Sequence, residues 1–462
     1  MVDRADVVVV GMGPGGEEVA GRLAEAGLDV VGVEAELLGG ECPYWGCVPS
    51  KMMIRAANLL AEAGRVDGMA GTASAEPDWA PVARRIRDEA TDDWDDRVAV
   101  ERFEGKGGRF VRGRGRLVGP RQVAVGDEVF EATRGVVLAT GARPWTPDVT
   151  GLAATPYWTN RDAVEATVAP GSLAVLGGGA IGVELGQVFA RFGAAVTIVE
   201  VAPRLLALEE PEAGALVEDV LRREGVDVRT GADLRSVSHD GSSFSLQLGD
   251  GRPGDRDGGV VRAERLLVAT GRRPDLASLG VDALGIDPQL RALPVDDRLR
   301  VAPGVWAVGD VTGVGAFTHV AMYQAGIAVR DILGTAVAAA DYRAVPRVTF
   351  TDPEIGAVGL SEEAARSRGL AVRVGTAQVP ASARGWIHKA GNDGLVKLVE
   401  DAERGVLVGA LAAGPAGGEV LGLLTLAVHA EVPVTSLRTM IYAYPTFHRA
   451  VEAALADLHD VA

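Results

Sequence analysis

Two cysteines, Cys42 and Cys47, lie five positions apart and are the only cysteines in 462 residues. A disulfide framework would be expected to use more cysteines than this. A structural zinc site needs about four ligands, and the chain has neither a second cysteine pair nor clustered histidines. The glycines around the pair and the following Val48-Pro49-Ser50-Lys51 favour a functional pair over two unrelated buried thiols.

The residues around the pair suggest how it is held. Proline at an early position in Val48-Pro49-Ser50 predicts a helix that opens directly after Cys47, and its positive end would lower the pKa of the Cys47 thiol. Lys51 lies one helical turn further along. The run Pro43-Tyr44-Trp45 predicts bulky rings that narrow access to Cys42 or stack on a flat acceptor, with packing against the domain as the alternative.

The elements that must position these residues form an internal repeat. Residues 5–10 are an apolar run of strand length, followed by a glycine-rich turn, a helical pattern over 17–26 and a second apolar run over 30–34. Residues 173–200 repeat this order. Both copies carry glycine at the first, third and sixth turn positions and glutamate 23 residues after the first glycine: Gly11, Gly13, Gly16 and Glu34, then Gly177, Gly179, Gly182 and Glu200.

Each part of this pattern has a role in binding a dinucleotide. The first glycine permits the tight turn, the second lets a pyrophosphate approach the backbone, and the third lets helix pack on strand. The helix N-terminus then faces the anion. Glu200 would accept hydrogen bonds from a ribose and repel a 2′-phosphate, which favours NADH over NADPH. Arg204, four residues on, leaves a contact with such a phosphate open.

The two copies of the repeat also end in the same way. Residues 136–144 and 266–274 are apolar strands that end in Thr140-Gly141 and Thr270-Gly271. Between Glu34 and Val136 lie the two cysteines and helical patterns that are predicted around residues 50–63 and 79–100. The first copy of the repeat therefore carries the cysteine insertion.

Composition limits the class of protein. The net charge of −17 argues against a general affinity for nucleic acid or an anionic membrane. No apolar run approaches the roughly 18 residues that suggest a membrane span. The first residues lack the features of a secretion signal. We therefore expect a cytoplasmic protein without nucleic-acid or membrane partners.

With these motifs in order, the chain resembles the pyridine nucleotide-disulfide oxidoreductases, FAD enzymes that include dihydrolipoamide dehydrogenase, glutathione reductase and mercuric reductase. The resemblance covers nearly the whole length. It rests on both glycine loops, the Cys42 to Cys47 motif and both Ala-Thr-Gly segments, and on residues 305–310, 350–356 and 444–446.

The resemblance implies an α/β fold with two Rossmann-like dinucleotide-binding domains, one for FAD and one for NAD(P), and a C-terminal α+β dimerisation domain. The implied boundaries are 1–145 for the first part of the FAD domain, 146–272 for the NAD(P) domain, 273–341 for a central segment that completes the FAD site and 342–462 for the dimerisation domain. The protein would be a homodimer.

The resemblance also implies roles for single residues. Cys47 would face the flavin, and Cys42 would be the outer thiol that attacks the substrate. Lys51 would reach the flavin N5 region, paired with Glu184. Asp310 would bond the flavin ribitol. His319 would approach the pyrimidine end of the flavin, with a structural role as the alternative. The cofactor-binding set is Gly11, Gly13, Gly16, Glu34, Lys51, Gly115, Thr140, Gly141, Gly177, Gly179, Gly182, Glu200, Gly271, Asp310 and His319.

One segment departs from the family. Disulfide-reducing members commonly carry His-Pro-Thr near the C-terminus, with glutamate five residues after the histidine, and this histidine exchanges a proton with the partner subunit's outer cysteine. Here Tyr444 replaces the histidine and Arg449 replaces the glutamate. Tyrosine titrates about 3.5 units above histidine, so proton shuttling should suffer. His448 is expected to pack rather than to substitute.

Tyrosine at this position resembles mercuric reductase, but the C-terminal cysteine pair of that family is absent. We therefore predict an FAD enzyme that passes electrons from NAD(P)H through Cys42 and Cys47 to a small-molecule acceptor other than a standard disulfide: a metal ion, a quinone or an unusual sulfur compound. No bound metal is predicted. The alternatives are a dihydrolipoamide dehydrogenase-like reductase with an altered dyad and a catalytically silent, flavin-binding redox sensor.

Overall fold

A computed structural model describes residues 2–249, 259–336 and 338–460. The chain divides into two compact units. The first contains Met1–Ser50, Ala83–Trp145 and Gly271–Asp341. The second contains Lys51–Val82, Thr146–Thr270 and Tyr342–Ala462. Each unit is therefore assembled from three separate stretches of chain.

The strands, in chain order, are β1 (Val2–Val10), β2 (Val30–Glu34), β3 (Arg109–Arg112), β4 (Gly115–Gly119), β5 (Gln122–Val125), β6 (Glu128–Leu138), β7 (Arg143–Pro144), β8 (Ser172–Leu176), β9 (Ala195–Val199), β10 (Asp227–Arg229), β11 (Leu234–His239), β12 (Phe244–Leu248), β13 (Val260–Ala263), β14 (Arg265–Val268), β15 (Arg272–Arg273), β16 (Arg300–Ala302), β17 (Val305–Ala307), β18 (Pro346–Thr349), β19 (Glu354–Gly359), β20 (Val372–Gln378), β21 (Leu395–Asp401), β22 (Val406–Gly414) and β23 (His459–Asp460).

The α-helices are α1 (Pro14–Glu25), α2 (Glu41–Tyr44), α3 (Cys47–Gly64), α4 (Ala80–Arg85), α5 (Arg97–Gly105), α6 (Asn160–Glu165), α7 (Ala180–Arg191), α8 (Pro211–Arg223), α9 (Leu276–Leu279), α10 (Thr318–Ile332), α11 (Glu362–Ser367), α12 (Ala383–His388), α13 (Gly417–His429), α14 (Val434–Thr439) and α15 (Arg449–Ala456). A π-helical turn covers Ile86–Ala90, and short 3₁₀ turns cover Leu152–Ala154, Val281–Leu284, Asp310–Thr312 and Val379–Ala381. No helix in the described parts of the chain is long and apolar enough to cross a membrane.

The first unit is built on an eight-stranded sheet. Its main order is β16-β17-β6-β1-β2-β3, with β5 also on β6 and β4 on β5. The central pairs are parallel. Alternate residues of β1 face opposite sides, as a strand requires: Val7 and Val9 pack with α1 and α10, whereas Val8 and Val10 join a second apolar cluster. Both faces of β1 are therefore covered, as in α/β folds.

The second unit contains three sheets. The parallel sheet β10-β9-β8-β14 carries the second copy of the repeat. A three-stranded antiparallel sheet, β11-β12-β13, packs on it through one apolar cluster. A six-stranded antiparallel sheet, β18-β19-β22-β21-β20-β23, is covered by helices that include α13 and α15. The strands expected on either side of both glycine turns are present.

The helical pattern predicted over residues 79–100 is wrong as one element. The helix α4 passes into a π-helical turn, and α5 begins only at Arg97. Three successive residues between them, Asp92, Asp93 and Trp94, have φ values of +50° to +57°. This left-handed backbone is costly for residues with a side chain and cannot continue a right-handed helix. Hydrophobic spacing does not report such a reversal.

Candidate functional site

The first glycine loop turns between β1 and α1. Gly11 has a φ of +90°, and a Cβ there would lie 2.5 Å from the carbonyl oxygen of Ala139. A Cβ on Gly16 would lie 1.9 Å from the carbonyl oxygen of Gly11. Any larger residue would push the helix off the strand, so both positions need glycine. The turn places the N-terminus of α1 at the carboxyl end of the sheet.

The second glycine loop repeats these contacts. Gly177 has a φ of +112°, and its Cβ would lie 2.4 Å from the carbonyl oxygen of Ala269. A Cβ on Gly182 would lie 2.0 Å from the carbonyl oxygen of Gly177. Thr140-Gly141 and Thr270-Gly271 thus follow the residues against which the two loops close. The sequence repeat is a repeat of backbone contacts.

The two glutamates are also held alike. Glu34 accepts hydrogen bonds from the backbone N–H groups of Met12 and Glu36, both at 2.8 Å. Glu200 accepts from the N–H groups of Gly178, at 2.5 Å, and Ala202, at 2.7 Å. Each carboxylate therefore bonds both to the second residue of its glycine loop and to the residue two positions after the glutamate itself. This fixes the carboxylate beside the loop while leaving further acceptor capacity on its oxygens.

The loops leave space where a pyrophosphate would approach. A Cβ on Gly179 would meet no atom within 4 Å, and one on Gly13 would meet only Gly40 Cα at 4.0 Å. Neither α1 nor α7 has a side chain that caps its first N–H groups. Free helical N–H groups beside open space suit a phosphate. These residues therefore fit FAD and a nicotinamide dinucleotide.

A matched pair of substitutions tests the two kinds of glycine in the second loop. We expect Gly182→Ala to lower the unfolding free energy by about 3 kcal/mol, because its Cβ overlaps a backbone oxygen. Gly179→Ala should fold normally, because its Cβ meets open space, but should weaken binding of the nicotinamide dinucleotide. Thermal unfolding and NAD⁺ titration measure the two effects. Equal stability of the two variants would contradict this assignment.

The two cysteines lie in the first unit, at the ends of a tight turn. They are not joined in a disulfide; Cys42 is partly buried and Cys47 is exposed. Cys47 is itself the first residue of α3, so the helix begins one residue earlier than predicted. Its Sγ lies 3.4 Å from Thr318 Oγ1. The hydrogen bond shared with Cys47, together with burial, raises the pKa of the Cys42 thiol. The Cys42 thiol therefore needs a base to become a thiolate.

The two aromatic rings between the cysteines are buried. Tyr44 is 6% exposed and Trp45 is 9% exposed, with their ring centres 5.8 Å apart. Burial and the Asp96 carboxylate raise the pKa of the Tyr44 phenol. This burial supports the packing alternative over rings that narrow access to Cys42 or stack on an acceptor. The short helix α2 turns them inwards, which the sequence run alone did not reveal.

Asp310 stands at the start of a 3₁₀ turn in the first unit. Burial raises the pKa of its carboxyl group, and the Arg272 guanidinium opposes this rise. Arg272 Nη1 also lies 3.6 Å from Glu41 Oε2. The turn is held from behind by Gln324, which is fully buried and accepts a hydrogen bond from Gly309 N at 2.6 Å. Arg272, Glu41 and Gln324 escaped prediction because nothing in their local sequence marks these distant contacts.

The remaining predicted cofactor residues of the first unit lie at loop and strand ends. His319 is the second residue of α10, and its ring stacks on Phe317 with centres 5.2 Å apart. Gly115 begins β4, and its Cβ would lie 2.8 Å from Val10 Cγ1. Gly115 is therefore also required for strand packing. Thr140 is exposed and lies two residues after the end of β6.

Lys51 and Glu184 meet in the second unit. Lys51 Nζ lies 2.9 Å from Glu184 Oε2, although the residues are 133 positions apart. Glu184 Oε1 accepts a hydrogen bond from Phe350 N at 2.8 Å, and Lys51 Nζ lies 4.5 Å from the centre of the Phe350 ring. Phe350 thus contacts both members of the pair. Its motif was noted in the sequence, but its place at the site was missed.

Tyr444 is 71% exposed. The guanidinium carbon of Arg449 lies 5.7 Å from the centre of its ring, and Arg449 Nη1 is 2.7 Å from Glu452. No hydrogen bond or ring contact joins Tyr444 to Lys51 or Glu184 in the described part of the unit. His448 directly precedes α15. Across residues 2–249, 259–336 and 338–460, no three His, Cys, Asp or Glu side chains are grouped to hold a metal ion.

Two family models match the chain. Residues 5–325 match the pyridine nucleotide-disulphide oxidoreductases, and residues 345–455 match the dimerisation domain of that family. Dihydrolipoyl dehydrogenase of Thermus scotoductus is 34% identical over 98% of this chain and 97% of its own. Mercuric reductase of Streptomyces lividans is 34% identical over 97% and 95%.

Solved structures agree. The flavoprotein disulfide reductase RclA from Escherichia coli superimposes with a TM-score of 0.83 and 27% identity over 98% of this chain and 99% of its own. LpdA from Mycobacterium tuberculosis gives 0.84 and 25%, with the same coverage. The mixed α/β fold with its dinucleotide-binding and dimerisation domains is thereby confirmed, and the dimerisation domain indicates a homodimer. The chain belongs to the pyridine nucleotide-disulphide oxidoreductases and is an FAD-containing, NAD(P)H-dependent oxidoreductase.

Proposed function

We propose that this enzyme passes electrons from NADH through Cys42 and Cys47 to an acceptor other than a lipoyl or glutathione-like disulfide. The candidates are a metal ion, a quinone and an unusual sulfur compound. The observation that carries the proposal is the pair Tyr444 and Arg449, at the positions where disulfide-reducing relatives have histidine and glutamate. The exposed Tyr444 ring lies beside a cation that is already paired with Glu452.

This arrangement lacks the groups for proton exchange with a disulfide. The raised pKa of Cys42 means that its thiol needs a base before it can attack one. Tyrosine titrates about 3.5 units above histidine and is a poor base near neutral pH. Losing general acid-base help costs about 10² to 10⁴-fold in rate. Disulfide reduction should therefore be a slow side reaction.

The residue roles follow the domain assignment, which we propose as 1–145 and 273–341 for FAD, 146–272 for NADH and 342–462 for the dimer. FAD, when bound, supplies the transfer of two electrons from the nicotinamide to the cysteine pair. Cys47 takes the inner position and Cys42 the outer one. Two thiols return to a disulfide as they give two electrons to the acceptor and release two protons. Lys51 keeps its charge in the ion pair with Glu184, and its ammonium group would lie beside the flavin when FAD is bound.

A metal ion is included among the candidate acceptors because one similar protein was solved with bound copper. RclA was also solved as a Cu(II) complex, with a TM-score of 0.85 and 26% identity to this chain. In this proposal a metal ion would be a substrate that is reduced at the Cys42 and Cys47 thiols. Thiolates are suitable ligands for soft ions such as Cu(I). We also propose the cytoplasm as the location, because the sequence shows neither the pattern of a secretion signal nor an apolar run of membrane-spanning length.

The loop of residues 200–210, which we name the nucleotide loop, supports NADH over NADPH. Glu200 would repel a 2′-phosphate. Arg204 is not turned towards such a phosphate, because it donates to the carbonyls of Leu206, Ala207 and Glu209. We expect kcat/KM for NADH to exceed that for NADPH by at least about 10-fold, since charge repulsion acts on NADPH alone. Steady-state kinetics with one acceptor measure this ratio, and a ratio near one would contradict it.

The proton-shuttle argument has a direct test. We expect the double variant Tyr444→His with Arg449→Glu to raise lipoamide turnover by about 10²-fold, because it restores the missing base and its orienting carboxylate. Tyr444→Phe is the matched control and should leave lipoamide turnover low. Both variants should keep flavin reduction by NADH. Lipoamide turnover that does not rise in the double variant would sink the argument.

Two alternatives make different predictions. A dihydrolipoamide dehydrogenase-like enzyme that tolerates the altered dyad would turn over lipoamide rapidly without any substitution. A silent redox sensor would retain FAD, but its flavin would not be bleached quickly by NADH. Anaerobic stopped-flow measurements distinguish the sensor from both enzymes.

A further inference from the structure

The nucleotide loop, defined as residues 200–210, lies between β9 and α8. Glu200 accepts hydrogen bonds from the N–H groups of Gly178 and Ala202. In addition, Leu206 N donates to the carbonyl of Gly178 at 2.9 Å. The loop is thus bonded at two points to the second residue of the glycine loop. Any displacement of the loop would move the carboxylate that is assigned to the nucleotide ribose.

Arg204 cross-links the nucleotide loop internally. Its guanidinium donates to the carbonyls of Leu206 at 2.8 Å, Ala207 at 2.9 Å and Glu209 at 2.8 Å. Leu206 is buried and has a φ of +47°, a backbone conformation that is unfavourable for leucine. The bonds from Arg204 hold this conformation. The two halves of the loop should therefore move together.

The far end of the loop is held by the six-stranded sheet. Glu209 Oε1 lies 2.7 Å from Arg347 Nε on β18. The other oxygen, Glu209 Oε2, is buried and has no hydrogen-bond partner in the described part of the chain. Arg347 is therefore the group that neutralises Glu209. Without it, the loop would carry a carboxylate whose two oxygens both lack this compensation.

A second ion pair lies next to the first. Lys397 on β21 is 3% exposed, and its Nζ lies 2.9 Å from Glu210 Oε2. The same ammonium contacts Glu212 at 2.8 Å and Glu362 at 2.9 Å. One buried cation thus contacts three carboxylates, of which Glu210 is the most buried. Its removal would leave the buried Glu210 carboxylate, at the end of the nucleotide loop, without this counter-ion.

We propose that Arg347 and Lys397 are positioning residues for NADH, acting from the six-stranded sheet through the nucleotide loop on Glu200. This rests on the proposed binding of NADH at the second glycine loop. Neither residue is assigned a contact with the nucleotide or the flavin. Their substitution should therefore raise KM and the Kd for the nucleotide while leaving kcat at saturating NADH unchanged.

The test uses the FAD-loaded enzyme and NAD⁺ as the probe. We expect Arg347→Gln to weaken NAD⁺ binding by about 10-fold, the value of one hydrogen bond to a charged group. The double variant Arg347→Gln with Glu209→Gln should bind within about threefold of the wild type, because no uncompensated carboxylate remains. Arg404→Gln is the matched control, since it breaks ion pairs with Asp401 and Glu431, which lie outside the loop.

Calorimetric titration gives Kd, and thermal unfolding reports stability separately. A lowered melting temperature with unchanged Kd and KM in Arg347→Gln would overturn the proposal, because the ion pair would then be merely structural. A fall in kcat at saturating NADH would also overturn it. If Lys397→Met folds, its Kd for NAD⁺ should rise more than that of Arg347→Gln. If it does not fold, the proposal is tested by Arg347→Gln alone. If Glu200→Ala leaves Kd unchanged, the nucleotide assignment itself fails, together with this proposal.

Discussion

Replacing Cys42 with serine is expected to lower acceptor turnover by on the order of 10³-fold or more, the scale seen when a group that forms a covalent intermediate is lost. The two thiols share a hydrogen bond, so they are close enough to act as one electron carrier. Serine cannot form the disulfide. Steady-state turnover with the best acceptor measures the loss.

The same variant should still accept electrons from NADH. An anaerobic titration should take two equivalents of NADH per FAD in the oxidised wild-type enzyme, one for the cysteine pair and one for the flavin. Cys42→Ser should take one. Cys47→Ser is the control for the inner position and should also take one. Full acceptor turnover in Cys42→Ser would mean that the acceptor bypasses the cysteines, contrary to the proposed path.

Replacing Lys51 with methionine is expected to destabilise the protein by about 3 kcal/mol, at the lower end for a broken buried ion pair because about a third of the lysine is exposed. The Glu184 carboxylate is only 7% exposed and would keep the N–H of Phe350 as its remaining partner. A buried charge without its counter-ion is the source of the loss. The denaturant midpoint measures it.

A neutral double variant separates charge from packing. Lys51→Met with Glu184→Gln should recover much of the lost stability, because neither charge is left alone. Flavin reduction by NADH should be slower than in the wild type in both Lys51→Met and the double variant, since both lack the proposed cation beside the flavin. If Lys51→Met unfolds at the wild-type denaturant concentration, the ion pair does not stabilise the fold.

The nucleotide-binding units could be predicted because their contacts are local. Gly11 N bonds Val33 O at 2.8 Å, and Gly177 N bonds Val199 O at 2.9 Å, so equal spacing in sequence gives equal bonds in space. The periodicity of strand, glycine turn and helix therefore predicts both copies. Glu34 and Glu200 follow the same rule, since each bonds residues within 22 positions.

Contacts between distant segments could not be predicted in this way. Glu184 and Phe350 are 166 positions apart, and no spacing rule joins them. The burial of Tyr44 depends on the turn of a four-residue helix, which the sequence run does not specify. Family resemblance supplied the pairing of Lys51 with Glu184, but it could not supply the ion pairs of Arg347 and Lys397 with the nucleotide loop.

The central claim is that the outer thiol serves an acceptor other than a standard disulfide. It is tested most directly by reducing the FAD-loaded enzyme anaerobically with NADH and mixing it with lipoamide, oxidised glutathione, Cu(II) or a quinone at pH 7. We expect the last two classes, or an unusual sulfur compound added to the panel, to reoxidise the enzyme at least about 10²-fold faster than either disulfide. Rapid reoxidation by lipoamide, matching the best of the other acceptors, would contradict the account.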